Sequence, residues 1–186
     1  GLAWYALSAQ HSSHDPRLLS LTDYLQHAST SDVQIDLDIP RTVRGHKAFH
    51  TRYGRGQCDL FGVLHAMSLM CAECGYCQGM GPLAAMLLMH MPASHALRVM
   101  RRMHDVYGFH ELFRPGFPGL RAEFYVLSQL LDALVPRMAQ ALAQAGLAPS
   151  AYATRWLLTV FHDALPHATQ LRVWDIFMAC GRDALL

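Results

Sequence analysis

No stretch of this chain is apolar for long enough to cross a bilayer. The longest apolar run, Met80 to Met91, is about half the ~20 residues that a membrane-spanning helix needs. No basic segment followed by an apolar one opens the chain, so no signal peptide is predicted. Charge is scarce as well. Charged residues make up 16% of the 186, and the net charge of +1 leaves no electrostatic footprint for nucleic acid. The one dense basic cluster, Arg98, Arg101 and Arg102, falls in a helical segment and reads as a solvated face. The five cysteines are odd in number, and three are too close together for a disulfide framework. That usage favours a reducing compartment, and the chain is expected to be cytoplasmic. Gly-x-Ser-x-Gly, P-loop and His-Glu-x-x-His patterns are missing, so a nucleophile elbow, a phosphate cradle and a paired-histidine zinc site have no support. No period of 20–50 residues repeats, which argues against a solenoid.

What the chain does contain is core. A hydrophobic fraction of 52% excludes disorder and describes a globular fold of about one domain. The sequence starts at Gly1 and stops inside an apolar segment at Leu186. Residues 1–186 are therefore expected to be one domain, short of its extreme ends and excised from a longer protein.

Periodicity predicts helices almost throughout. Trp4 to Ala9 reads as a helix end, and Asp15-Pro16 as the start of a helix carrying Leu18, Leu19, Leu21, Tyr24 and Leu25. Val33 to Arg41 alternates apolar and polar residues, and Pro40 restricts Ile39; an extended arm or single turn is predicted there. Thr42 to Gln57 reads as a loop carrying Arg44, Arg52 and Arg55. Asp59 is the predicted cap of a helix to Glu73, and Pro82 begins one that is apolar on every face and so buried. Further helices are predicted from Ser94 to Tyr107, from Leu120 to Ala145 with a break at Val135 before Pro136, from Ser150 to Leu165 and from Thr169 to Cys180. Phe109 to Gly119 reads as a connector. About nine helices and no convincing strand make the fold all-α.

Two stretches carry chemistry. Gly75-Tyr76-Cys77-Gln78-Gly79-Met80 separates two strongly apolar helices, and a polar Gln there must be paired within the fold or displayed at its surface. Upstream, Ile35-x-x-Asp38-x-x-Arg41 places a carboxylate where it could orient Arg41 or tie its segment to the body by charge-assisted hydrogen bonds. Cys71-x-x-Cys74-x-x-Cys77 has the spacing of an iron–sulfur run, but Gly81 stands where the fourth cysteine would be. Zinc would require Cys58 or His65 as a further ligand. The alternative is that these thiols act as small apolar groups at helix ends, and no metal is assigned. His162 and Asp163 are adjacent on a predicted helix, so their side chains should diverge.

Taken together, Ile35-x-x-Asp38-x-x-Arg41-Thr42 and Gly75-Tyr76-Cys77-Gln78-Gly79-Met80 resemble the signatures of the TBC domain of Rab GTPase-activating proteins. Arg155-Trp156 to Phe161, Leu165-Pro166 and Arg172-Val-Trp174-Asp175 resemble a third, and Trp4 matches an early tryptophan. The chain departs from the family at Arg44, where proline is frequent, and at Gly81, where asparagine is frequent. The family's last helices are expected to lie beyond the end of the chain. The resemblance implies an irregular multi-helix domain of two lobes. It also implies an activator rather than an enzyme with a substrate of its own, with a role in vesicle trafficking. Arg41 would be an arginine finger and Gln78 a glutamine finger, supplied in trans to a Rab-type GTPase in its GTP-bound state. Tyr76 would position Gln78, Ile35 and Asp38 would anchor the arm, and Arg155, Trp156, Trp174 and Asp175 would hold the body together. The chain would need no cofactor of its own, since GTP and Mg2+ travel with the partner, and it would reach endomembranes only through that partner or flanking regions. A catalytically inactive module that binds a GTPase is the alternative.

Overall fold

Every element of the computed structural model, which describes residues 1–9 and 20–185, is helical or a turn. The helices are α1 (Leu2–Ala9), α2 (Leu21–Tyr24), α3 (Asp32–Asp38), α4 (Arg55–Met70), α5 (Met80–Leu88), α6 (Ala93–Asp105), α7 (Phe109–Phe113), α8 (Pro118–Leu134), α9 (Pro136–Gln144), α10 (Pro149–Tyr152), α11 (Thr154–Thr159) and α12 (His167–Cys180). Two 3-10 turns, Ile39–Arg41 and Arg182–Leu185, complete the elements of the described residues. The predicted helix start at Asp15-Pro16 lies outside them. Within them, Ser20 caps α2 in a reciprocal capping box with Asp23.

Helix α5 is the centre. Met80, Leu83, Ala84, Ala85, Met86 and Leu87 are all buried, as expected for a helix with no polar face. It packs against α4 and α6 on one side and α11 on the other. Helices α1 and α12 pack on each other and α1 also meets α6, so the two ends of the described chain close on one lobe. The second lobe joins α8 to α7, α9, α10 and α11.

Several predicted boundaries move. Residues 33–41 form no extended arm: they are α3 and a 3-10 turn. The alternation of Val33, Ile35, Leu37 and Ile39 divides over two faces of a helix, with Ile35 and Ile39 fully buried one turn apart while Val33 and Leu37 point outward. Pro40 sits in the first turn of the 3-10 segment, where its missing N–H deprives no helical bond. Helix α4 begins at Arg55 rather than Asp59 because Gln57 is already inside, donating from Nε2 to the Phe49 carbonyl at 2.8 Å. It ends at Met70, before the cysteine turn. The predicted connector after residue 108 contains α7, formed because Phe109, Leu112 and Phe113 all reach the core. The single helix predicted from Ser150 is two short ones, α10 and α11, stopped at Val160, whose φ is 50°. Helices α6 and α12 start after Pro92 and Pro166, not at Ser94 and Thr169. The break before Pro136 falls at Val135 as predicted.

Trp174 holds the first lobe. It is fully buried, donates from Nε1 to the Val160 carbonyl at 3.2 Å, and packs on Trp4 at a ring distance of 5.3 Å. Trp4 in turn donates to Asp175 at 2.7 Å. Trp174→Ala removes an aromatic that the surroundings cannot refill, and should lower unfolding free energy by about 3–5 kcal/mol, measured by urea denaturation against the parent chain. The basic cluster on α6 is held within the fold rather than solvated alone: Arg98 donates to the Tyr5 hydroxyl (3.0 Å), Arg101 to Asp105 (3.0 Å) and Arg102 to Ser8 (2.9 Å). No helix among the described residues is long and apolar enough to cross a membrane.

Candidate functional site

Asp38 is the hub of the site. Its position follows from α3: with Ile35 and Ile39 anchored in the core, the helix turns the Asp38 carboxylate inward, where it is almost fully buried. A buried carboxylate must be compensated, and three side chains converge on it. Gln34 donates to Oδ1 at 2.9 Å, Arg41 donates to the same oxygen, and the Tyr76 hydroxyl donates to Oδ2 at 3.0 Å. Thr42 closes the turn by donating its hydroxyl to the Asp38 carbonyl at 2.9 Å. Asp38 therefore does both things its spacing allows. It orients Arg41, and through Tyr76 it ties α3 to the turn that carries Gln78.

That turn is built on glycine. Gly75 has φ +54° and donates its N–H to the Cys71 carbonyl at 2.9 Å, a left-handed geometry that disfavours a side chain. Gly79 packs closely, since a Cβ there would lie 3.3 Å from Leu158 and 3.4 Å from Phe113. Between them Tyr76 and Cys77 turn partly inward, and Gln78 is left exposed. Burial, reinforced by the Asp38 carboxylate, pushes the Tyr76 phenol well above its usual range, so it remains a donor. Burial also pushes the Cys77 thiol up, which leaves it protonated and a poor nucleophile.

Arg41 and Gln78 line one cleft of about 270 Å³, together with Asp38, Tyr76, Pro82, Arg155, His162 and Asp163. The Arg41 side chain is 64% exposed although one of its nitrogens is paired, so most of the guanidinium faces solvent. The pair is thus exposed at its Arg41 end and buried at its Asp38 end. Asp38 also keeps its bonds to Gln34 and Tyr76 if Arg41 leaves, so the guanidinium can turn to another anion without orphaning the carboxylate.

The far wall was not marked by the sequence as part of the site. Arg155 and Asp163, pair-bonded at 3.0 Å and both exposed, line the cleft rather than only bracing the body. Trp156, partly exposed, stacks on Phe161 at 5.8 Å. His162 and Asp163 do not diverge. They lie in a turn beyond α11, 3.3 Å apart. Val43, Val160, Phe161 and Asp163 all have φ between 50° and 58°, so left-handed non-glycine residues gather around this cleft. Such conformations persist only where the surroundings over-determine them, and no sequence pattern announces them.

His162 gives the site a pH signature. It is buried and accepts from Gln170 Nε2 at 3.2 Å through Nδ1. Burial lowers its pKa below the ordinary 6.5, with Arg155 acting in the same direction and Asp163 opposing. The unfolded chain therefore takes up a proton that the folded chain resists as pH falls through 6.5. The stability is fully present above that value and declines below it. Denaturation midpoints should fall from about pH 7 to pH 5, and His162→Gln should make that fall shallower.

Comparison with known proteins places this geometry. The family model of the Rab-GTPase-TBC domain matches residues 2–186. A TBC domain-containing protein of Schizosaccharomyces pombe is 45% identical over 150 residues, covering 81% of this chain and 36% of that protein. A Rab GTPase-activating protein of Caenorhabditis elegans is 33% identical over 162 residues, covering 87% of this chain and 17% of that protein. The chain thus spans about a third or less of the length of these relatives. Among solved structures, the Chlamydomonas flagellar RabGAP TBC domain superposes with a TM-score of 0.81 at 19% identity, covering 99% of this chain and 62% of that one. That degree of identity speaks for the fold alone. The helical body, the signature residues gathered at one cleft and the match along nearly the whole sequence agree: this chain belongs to the Rab-GTPase-TBC domain family.

Proposed function

We propose that this chain accelerates GTP hydrolysis by a Rab-type small GTPase in its GTP-bound state, supplying Arg41 and Gln78 in trans. The observation that carries the reading is that the two side chains, thirty-seven positions apart in sequence, are both exposed and line the same cleft. Phosphoryl transfer needs an attacking water held in line and a counter-charge for the transferring phosphate. The Arg41 guanidinium is permanently charged, with a planar fork of donors suited to phosphate oxygens. The Gln78 carboxamide, with one acceptor and two donors, is suited to orienting water. Tyr76 and Asp38 hold the two in register. GTP and its Mg2+ belong to the partner, and the chain itself turns over no substrate.

Transition-state mimicry tests this. A GDP-loaded Rab should form a complex with the chain, followed by size-exclusion chromatography, only when aluminium or magnesium fluoride supplies a phosphoryl mimic. Arg41→Ala should abolish that complex. A complex that forms equally well without fluoride, and survives Arg41→Ala, would instead select a module that binds a GTPase without activating it.

A further inference from the structure

We infer that Cys71, Cys74, His104 and His110 form a structural zinc site at the root of the Gln78 turn. The sequence offers three cysteines here, with Cys58 or His65 as a further ligand; the fold discards Cys77 and supplies two histidines instead. One ligand atom from each of the four residues lies within 4.8 Å of every other. Cys74 Sγ is 3.4 Å from His104 Nε2 and 3.4 Å from His110 Nδ1, Cys71 Sγ is 3.7 Å from His110 Nδ1, and the two nitrogens are 3.2 Å apart. A tetrahedral zinc with Zn–S of about 2.3 Å and Zn–N of about 2.0–2.1 Å requires separations near ~3.5 Å for S···N and ~3.3 Å for N···N. The described positions are close to these values.

The surroundings point the same way. His104 Nδ1 lies 2.7 Å from Asp105 Oδ1, and His110 Nε2 lies 3.4 Å from Glu73 Oε2. The Asp105 carboxylate draws the His104 Nδ1–H away from the centre and turns the bare Nε2 lone pair towards it, the arrangement that orients zinc-bound histidines; Glu73 stands on the corresponding outer side of His110. Each carboxylate also faces an arginine: Arg101 pairs with Asp105 at 3.0 Å, and Arg114, paired with Glu111 at 3.0 Å, lies 3.6 Å from Glu73. The cysteine pair has the form of a metal-binding turn: the Cys74 N–H donates to Cys71 Sγ at 3.4 Å, and Gly75 follows in a left-handed conformation. On binding Zn2+ the two thiols lose their protons to solvent. Two thiolates and two neutral imidazoles then leave the centre uncharged. His65, the alternative ligand weighed from sequence, is committed to Asp32 at 2.6 Å and the Tyr24 carbonyl at 3.1 Å. Cys58 is exposed and contacts the Tyr53 carbonyl at 3.2 Å.

The site would staple the segment after α4 to the end of α6 and the start of α7. Insofar as Gln78 acts as proposed above, it fixes the base from which Gln78 is presented, but its existence is independent of that reading and is tested without GTPase. Chain purified without chelator should contain roughly one zinc per molecule by elemental mass spectrometry. Replacing zinc with Co2+ should give tetrahedral ligand-field bands and a thiolate charge-transfer band. Cys74→Ser should abolish both, and Cys77→Ala should retain them. Asp105→Asn should weaken zinc about 10–100-fold in chelator competition. Should a variant fail to fold, the wild-type cobalt spectrum still decides. Zinc-free protein whose Co2+ titration gives no thiolate band would overturn the site and leave a hydrogen-bonded thiol–imidazole cluster. Unchanged zinc content in a folded Cys74→Ser variant would overturn it too.

Discussion

Arg41→Ala is expected to remove nearly all stimulation of GTP hydrolysis while leaving the fold intact. An arginine supplied in trans to a GTPase is worth about 10³–10⁵ in rate, or roughly 4–7 kcal/mol of transition-state stabilisation. The structural role of Arg41 is slight by comparison. Its side chain is largely exposed, and its single ion pair is to a carboxylate that Gln34 and Tyr76 also satisfy. Circular dichroism should therefore barely change and the unfolding midpoint should fall only in so far as the buried Asp38 loses its cation, while single-turnover hydrolysis falls towards the intrinsic rate of the GTPase. Arg41→Lys makes the prediction sharper. Lysine keeps the charge but loses the planar fork, so it should recover only a small part of the lost rate. Full recovery would mean that Arg41 acts by charge alone.

Gln78→Ala should cost about 10²-fold or more, because a misplaced reactant is penalised on that scale. The expected loss lies in the chemical step and not in association, since a carboxamide that orients water does little for binding. Saturating the GTPase with the variant should thus not restore the rate. The side chain is exposed, and its turn is held by the Gly75 conformation and the Tyr76–Asp38 bond, so stability should change little. A variant whose loss vanishes at high concentration would make Gln78 a contact residue instead.

Much of this was legible from residue order because the relevant signals are local. An all-apolar segment from Met80 can only be a central helix, and Pro136 must break whatever precedes it. The pairing of Asp38 with Arg41 follows from their separation of three residues. Other features depend on tertiary choices. The aliphatic alternation at Val33–Ile39 fits a strand or a two-faced helix equally well, and only the core that receives Ile35 and Ile39 decides between them. Arg155 and Asp163 come to the cleft because the chain turns left-handed at Val160 and Phe161. The histidines beside Cys71 and Cys74 stand 30 or more residues further on, and the packing of α6 and α7 brings them back.

The two-finger mechanism is tested most directly by one rate: single-turnover hydrolysis of GTP by a panel of Rab proteins, each with and without this chain. It predicts that at least one Rab hydrolyses GTP on the order of 10³-fold faster in its presence, with Arg41→Ala and Gln78→Ala each largely abolishing the gain. Stable binding to a GTP-loaded Rab with no acceleration, or full activity in both single variants, would contradict it.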